Sequence, residues 1–256
     1  MRILAYEDIM KTITSKDNPA VKRVKKLYKK SFRDECGVFL AEGERLVFDA
    51  VKSGAQIETL FVTGKFSDVN ISADNVYTVD EKVIAGISDT ASPQGILAVV
   101  KKQEYSSSDI SEPCVICDRV SDPGNLGTII RTADAAGFGS VVLLPGCVDA
   151  FSPKVVRASM GSVFHIPVIE CEFSDIRGMS LLCADLENSD YIYDYDFKKP
   201  FGVVIGNEAN GVSDSVMSAC DARIKIPMPG KSESLNAAVS FGVIAFEALR
   251  QRLSCE

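Results

Sequence analysis

The chain has a single histidine, His165, among 256 residues. That scarcity excludes a multi-histidine metal centre and leaves a His-based catalytic triad with one candidate. His165 follows Phe164 at the expected start of a strand, where a satisfied structural role is the simpler reading. No run approaches the ~20 apolar residues of a membrane helix. The opening MRILAYEDIMKTITSK lacks the apolar core and small-residue cleavage site of a signal peptide. A cytoplasmic protein without a membrane partner is expected. No G-x-x-x-x-G-K-[ST] occurs, and GFGSVV (137–142) lacks the third glycine of a dinucleotide loop and follows a helix instead of a strand. Internal repeats and low-complexity tracts are also absent.

Eight cysteines are scattered, several within apolar runs such as CVICDRV, as thiols buried in a reducing compartment would be. Cys114 and Cys117 form a C-x-x-C, but no second pair follows at zinc spacing, so no metal is expected.

Apolar residues make up 46% of the chain, enough to bury a core in one large domain or two ordinary ones. The net charge of −7 argues against indiscriminate nucleic-acid binding, yet it is unevenly spread. Residues 1–105 hold 16 basic and 15 acidic side chains, and the remainder holds 12 and 20, for net charges of +1 and −8. Within the first part, VKRVKKLYKKSFR (21–33) carries Lys22, Arg23, Lys25, Lys26, Lys29, Lys30 and Arg33 without an acid. Val21, Val24, Leu27 and Tyr28 recur at helical spacing, which predicts an amphipathic helix over about 19–32 with a basic outer face. Such a face is either simply solvated or a phosphate-binding surface.

Polar, Ser-rich sequence ending in a proline (101–113) reads as a linker. The expected domains are therefore 1–105, with a linker over about 101–112, and 113–256. Before the linker, a helix, a strand at 37–43, a helix at 44–53 and short strands near 57–63, 76–79 and 95–100 suggest a small α/β domain. After it, strands near 114–120, 140–145, 165–170, 180–186, 201–206 and 222–228 alternate with helices near 125–137, 153–161, 213–219 and 235–252. Nearly continuous apolar strands such as SVVLLP and FGVVIG are those of a parallel sheet with helices on both faces.

Ligands of such sheets gather beyond the carboxyl ends of the strands. Three ends are unusual: FGVVIG runs into Asn207-Glu208, IKIPM into Pro229-Gly230-Lys231-Ser232-Glu233-Ser234, and LLCADL into Glu187-Asn188. Glycine lets backbone approach a ligand, and amides or carboxylates just beyond can orient it. Ordinary turns favour the same residue types.

DPGNLGTIIRTADAAGFGSVVLLPG (122–146), VVIGNEANGVS (203–213) and IKIPMPGKSESLNAAVSFGVIAFEALRQ (224–251) together resemble the three motifs of the SpoU (TrmH) family of RNA ribose 2′-O-methyltransferases, in the SPOUT superfamily. VRASMGSVFHIPV (156–168) fits the segment between the first two motifs. FLAEGERLVFDAVKSGAQIETLFVT (39–63) resembles the substrate-binding domain that many members carry ahead of the catalytic one, similar to small RNA-binding ribosomal proteins. The resemblance implies an S-adenosylmethionine-dependent enzyme with a C-terminal trefoil knot, acting as a homodimer whose active site draws on both subunits. On the helix expected over 235–252, Leu235, Val239, Gly242, Phe246 and Leu249 mark one face and Phe241, Ile244 and Ala248 leave the other apolar too, so the helix is either a dimer element or a core helix covered by its own chain.

Methyl transfer from a sulfonium to a hydroxyl is an in-line displacement that needs alignment and removal of a weakly acidic proton, not a metal. By motif matching the acceptor side is Asn125, Arg131, Glu208, Ser234 and Asn236. Arg131 matches the motif arginine beside the substrate ribose; because guanidinium keeps its proton through pH 12, binding of the neighbouring phosphate and polarisation of the hydroxyl is preferred over base catalysis, with Glu208 in support. Asn125 and Ser234 also stand where helix caps are expected. The donor side falls to Leu186, Ile205, Gly206, Asn207, Ile226, Met228, Pro229 and Leu235. The basic run becomes an RNA surface. Ribosomal RNA is favoured over transfer RNA; a catalytically silent RNA-binding or ribosome-assembly protein of the same fold is the rival, and without the resemblance the runner-up is an α/β enzyme using an adenine nucleotide.

Overall fold

In the computed structural model, which describes residues 10–185 and 189–253, the chain divides into two units: Met1–Gln103 with Phe151–Arg157, and Glu104–Ala150 with Ala158–Glu256. The main division falls in the Ser-rich stretch. The short return of Phe151–Arg157 to the first unit has no compositional mark; there Phe151 packs on Phe39 with ring centroids 5.0 Å apart.

The first unit begins with β1 (Met10–Ile13), α1 (Pro19–Lys26) and α2 (Lys30–Cys36) and continues through β2 (Val38–Glu42), α3 (Glu44–Lys52), β3 (Ile57–Val62), β4 (Asn75–Val79), α4 (Glu81–Ile87) and β5 (Ile96–Lys101). The sheet order is β1-β4-β3-β5-β2, with β1, β4 and β3 parallel and β5 antiparallel to both its neighbours. Alternation along β2 sends Val38 and Leu40 into a core shared with Val21 and Val24 of α1, Leu27 just beyond it, and Val83 and Ile87 of α4. Phe39 and Ala41 point the other way and are buried as well. Asn18 caps α1, its side chain accepting from Ala20 N at 2.9 Å, and Pro19 fills the first turn, where no N–H partner is needed.

The helix expected over 19–32 is in fact two. α1 ends at Lys26, and the Leu27 carbonyl accepts a 2.7 Å bond from Arg33 Nη1, a guanidinium folded beneath the chain and only 2% exposed. Periodicity missed the break because the buried arginine occupies a position that pattern alone reads as solvent. β1 and α4 were not expected either; both are short, at four and seven residues.

The second unit consists of β6 (Cys114–Cys117), α5 (Pro123–Ala135), β7 (Ser140–Leu143), the end of α6 (Pro153–Ala158), β8 (Val168–Glu170), β9 (Ser180–Ala184), β10 (Asp190–Tyr191), β11 (Phe201–Ile205), α7 (Asp214–Ala219), β12 (Ala222–Lys225) and α8 (Ala237–Leu253). Its seven strands are all parallel, in the order β10-β12-β9-β11-β6-β7-β8. Both faces are covered. Cys114, Ile116, Val142, Cys183 and Val204 pack with Val212 and with Val216 of α7. From the other face, Phe201 meets Phe138 edge-on at 5.9 Å, and Phe138 in turn meets Phe241 of α8 at 5.2 Å. Among the described residues no helix is long and apolar enough to cross a membrane.

The two apolar sides of α8 separate cleanly. Phe241, Ile244 and Ala248 are buried by the chain itself, whereas Val239 and Phe246 are each 52% exposed and Leu253 is 59% exposed. Because Phe241 is fully buried against an aromatic partner, Phe241→Ala is expected to lower unfolding free energy by about 3–5 kcal/mol, read from urea unfolding with the slope unchanged.

Candidate active site

Three strands of the second unit end around one cavity of about 340 Å³, lined by Ala184 and Asp185 at the end of β9, Ile205 to Val212 at and beyond the end of β11, and Ile224 to Ile226 at the end of β12, with Met228, Ser234, Leu235 and the start of α8 closing it. Gly206 is required by the turn at its mouth: a Cβ there would lie 2.2 Å from Gly211 C and Val212 N. The following loop closes on itself, Asn207 and Gly211 exchanging backbone bonds of 3.0 and 2.9 Å. Asn207 Oδ1 accepts from Ala209 N and Asn210 N at 3.0 and 3.1 Å, and its Nδ2 donates to Arg119 O at 2.9 Å. The amide thus stitches the end of β11 to the turn after β6.

Beside the cavity lies a chain of polar contacts joining three distant segments. Glu208 Oε1 accepts from Asn125 Nδ2 at 2.9 Å and Asp122 N at 3.2 Å, while Oε2 accepts from Ser121 N and Oγ at 3.2 and 3.0 Å. Asn125 Oδ1 accepts from Asn236 Nδ2 at 2.9 Å, and Asn236 Oδ1 accepts from Ala238 N and Val239 N at 3.0 and 3.2 Å. Both amide orientations follow from the ends of the chain: a carboxylate only accepts, backbone N–H groups only donate, and each amide between them has one orientation that satisfies both. Burial works against ionising Glu208, but the bonds from Asn125 and from the backbone at Ser121 and Asp122 outweigh it and bring its pKa down to about 2.

Two capping expectations are corrected by this geometry. α5 is capped by Asp122, whose Oδ1 accepts from Asn125 N at 2.8 Å, so Asn125 lies inside the first turn with its side chain free for Glu208. α8 starts at Ala237 and its cap is Asn236; Ser234 lies two residues too early, exposed at the cavity, where its carbonyl accepts from Ser232 Oγ at 2.9 Å. Within the chain Glu208 bonds Ser121, Asp122 and Asn125, and not Arg131. Arg131 is exposed on α5, six residues or about 240° round the helix from Asn125, and has no hydrogen bond or ion pair among the described residues.

Of the donor-side residues, Ile205, Gly206, Asn207, Ile226, Met228 and Leu235 line the cavity; Pro229 does not, and Leu186 lies outside the described residues. Asp185, Met217, Lys225 and Ser240 line it too and were missed. Asp185 alone carried a signal, as a carboxylate at a parallel strand's end. The lining suits a nucleoside bearing a charged tail: aliphatic walls from Ile205, Ile226 and Leu235 for a flat ring, polar backbone at Gly206 and Asn207, and charges of both signs at Asp185 and Lys225. Its volume is at the lower end of small-molecule sites.

Residues 112–246 match the SpoU rRNA Methylase family, and residues 7–98 match the MRM3-like substrate binding domain. The chain belongs to the SpoU rRNA methylase family. It is 35% identical over 248 residues to the Bacillus subtilis 23S rRNA (guanosine(2553)-2′-O)-methyltransferase RlmP, covering 93% of this chain and 98% of that protein. The crystal structure of an AdoMet-bound rRNA methyltransferase from Sinorhizobium meliloti superposes with a TM-score of 0.86 at 37% identity, covering 94% of this chain and 98% of that one. The SpoU methyltransferase AviRb from Streptomyces viridochromogenes, in complex with AdoMet, gives 0.83 at 28% identity, covering 93% and 99%.

Outside the SpoU cavity, His165 follows a short turn (Ser162–Phe164) instead of starting a strand, with Nδ1 2.9 Å from Asp134 Oδ2. Cys114 and Cys117 are fully buried in β6, and burial pushes the Cys114 thiol up to about 12. The basic run is smaller than its sequence suggests. Arg33 is buried under Leu27, and Arg23 is half-buried in a two-bonded pair with Glu58, so neither is presented to a ligand. Lys22 pairs with Asp17 and Lys30 with Asp34, at 3.0 and 3.1 Å, while Lys26 lies over the Phe32 ring. Lys25 and Lys29 are exposed. The acids that answer the cations, Asp17, Asp34 and Glu58, all lie outside the run, so the run itself could not reveal them.

Since the pKa of Glu208 is lowered, its ionised bonds stabilise the fold above the ordinary carboxylate range, and that contribution disappears as pH falls from about 4.5 to about 2. Glu208→Gln should melt below wild type at neutral pH, and the gap in Tm should close over that acid window; a gap independent of pH would contradict the charge assignment.

Proposed function

We propose that the protein transfers the methyl group of S-adenosylmethionine to a ribose 2′-hydroxyl in ribosomal RNA. The observation that carries this reading is the cavity at the ends of β9, β11 and β12, walled for a nucleoside with a charged tail and flanked by the Asn236–Asn125–Glu208 chain. Family membership and the rRNA methyltransferases among its relatives support it. The bound donor supplies an already electrophilic methyl group. The chain's part is orientation: Gly206 and Asn207 hold the donor by backbone, and Ile226, Met228 and Leu235 pack against its apolar portion. Ser234, at the rim, contacts the acceptor nucleotide. Asn125, Glu208 and Asn236 set the rim's shape, Glu208 remaining ionised and immobile throughout the pH range of the reaction.

Arg131 is assigned to the acceptor side, where it binds the phosphate next to the target ribose and polarises the hydroxyl. It does not line its own chain's cavity, so it acts in the cavity of a second copy within a homodimer. The exposed face of Val239, Phe246 and Leu253 supports that dimer, because three large apolar side chains one above another on a helix need cover. The trefoil knot is part of the proposal, supported by the place of β11 between β9 and β6 and of β12 on the far side of β9. The first domain, 1–105, holds the RNA with Lys22, Lys25, Lys26, Lys29 and Lys30 as its basic face, and 113–256 is the methyltransferase domain. The seven described cysteines form no disulfide, in keeping with a reducing, cytoplasmic setting.

Calorimetric titration with S-adenosylmethionine should give saturable heat at one site per chain; absence of heat overturns the reading. Arg131→Ala should abolish methylation of ribosomal RNA while leaving donor affinity within a few-fold. Mixed dimers of Arg131→Ala with Gly206→Val, each inactive alone, should regain methylation, because one intact cavity then faces one intact arginine. If Arg131 acts within its own chain, the mixture stays inactive.

A further inference from the structure

Arg119, two residues beyond β6, has φ +56°, in the left-handed region that glycine and asparagine enter at little cost and longer side chains resist. The backbone is held there because its carbonyl is the acceptor for Asn207 Nδ2. Local geometry therefore favours Gly or Asn at 119, and the chain has arginine. Space is left for it: Gly146 has φ +93°, and a Cβ there would come within 3.0 Å of Arg119 Cγ. Backbone strain of this kind points to a use for the side chain.

The guanidinium's contacts do not explain its retention. Nε lies 3.3 Å from Asp118 Oδ1, and Nη2 lies 3.5 Å from Asp118 Oδ2 and 3.4 Å from Gly211 O, all long for charge-assisted bonds. Asp118, whose side chain is 4% exposed, already accepts a 2.6 Å bond from Ser213 N. Nη1 has no hydrogen-bond partner among the described residues, and the side chain is 39% exposed. Through Gly211, which lines the cavity, the guanidinium lies at the rim of the proposed donor site. The other nearby carboxylates are occupied: Glu208 by Ser121, Asp122 and Asn125, and Asp122 by the first turn of α5.

We infer that Arg119 binds a phosphodiester of the acceptor RNA in the same protomer that holds the methyl donor. A planar guanidinium with one edge resting on the protein and the other free matches two phosphate oxygens. Arg131 from the second copy would then grip the acceptor strand from the opposite side. This inference rests on the RNA-methylation reading above.

The test compares wild type with Arg119→Asn, Arg119→Gly and Arg119→Lys in the full-length protein, using an unmodified large-subunit ribosomal RNA transcript and S-adenosylmethionine. Asn and Gly accept a positive φ, so both variants should melt within a few degrees of wild type. Their KM for RNA should rise about three- to tenfold with kcat within about twofold, and the dependence of log affinity on log salt should flatten by about one unit. Donor affinity should not change, and Arg119→Lys should keep the wild-type salt slope. Unchanged KM and salt slope in Arg119→Asn, with or without a lower Tm, reduce Arg119 to a partner of Asp118 and overturn the inference alone. A wild type that neither binds nor methylates the transcript overturns the functional reading, and this inference with it.

Discussion

The Glu208 carboxylate has only acceptors to offer, and the rest of the site is arranged around that restriction. Four donors at the entrance to α5 converge on it: the backbone N–H groups of Ser121 and Asp122, the Ser121 hydroxyl and the Asn125 amide. With its Nδ2 committed to the carboxylate, Asn125 can present only oxygen to Asn236. Asn236 must then turn its own oxygen to the first N–H groups of α8. One charge thus sets two amide orientations and ties together the turn after β6, the loop after β11 and the start of the last helix. The first of these segments is more than eighty residues from the other two in sequence, and the cavity lies beside their junction.

That tie matters because each segment on its own is a turn with little intrinsic order. Loops at the ends of parallel strands owe their geometry to what they touch beyond the sheet. Here the sheet supplies rigidity: β6, β7 and β11 are buried on both faces, and the aromatic edge contacts of Phe138, Phe201 and Phe241 fix α8 over it. α8 in turn carries its cap, Asn236, to the polar chain. Its opposite face, with Val239, Phe246 and Leu253, remains exposed. The helix is therefore a core element on one side, and the homodimer proposed above would draw on the other.

Much of the architecture was legible beforehand. Continuous apolar strands separated by helical segments specify a covered parallel sheet whatever their order, and the motifs at 203–213 and 224–251 marked two of the strand ends at which the cavity lies. The errors have a common form. Ser234 and Asn125 were read as caps from residue type and position, but more than one residue of capping type stands near each helix start, and the caps are Asn236 and Asp122, whose side-chain oxygens reach the first free N–H groups. Arg23 and Arg33 were read as surface cations, although Glu58 and the Leu27 carbonyl, invisible to local pattern, take them.

What the sequence determined by itself was the set of faces to be buried and the chemical types at each strand end, because hydrophobic periodicity and residue type act locally. Strand order, the separation of Arg131 from Glu208, the left-handed turn at Arg119 and the identity of each cap were decided only in the tertiary structure. They depend on hydrogen-bond donors and acceptors meeting across long sequence separations, and a donor's partner is settled by which acceptors the finished fold leaves unsatisfied.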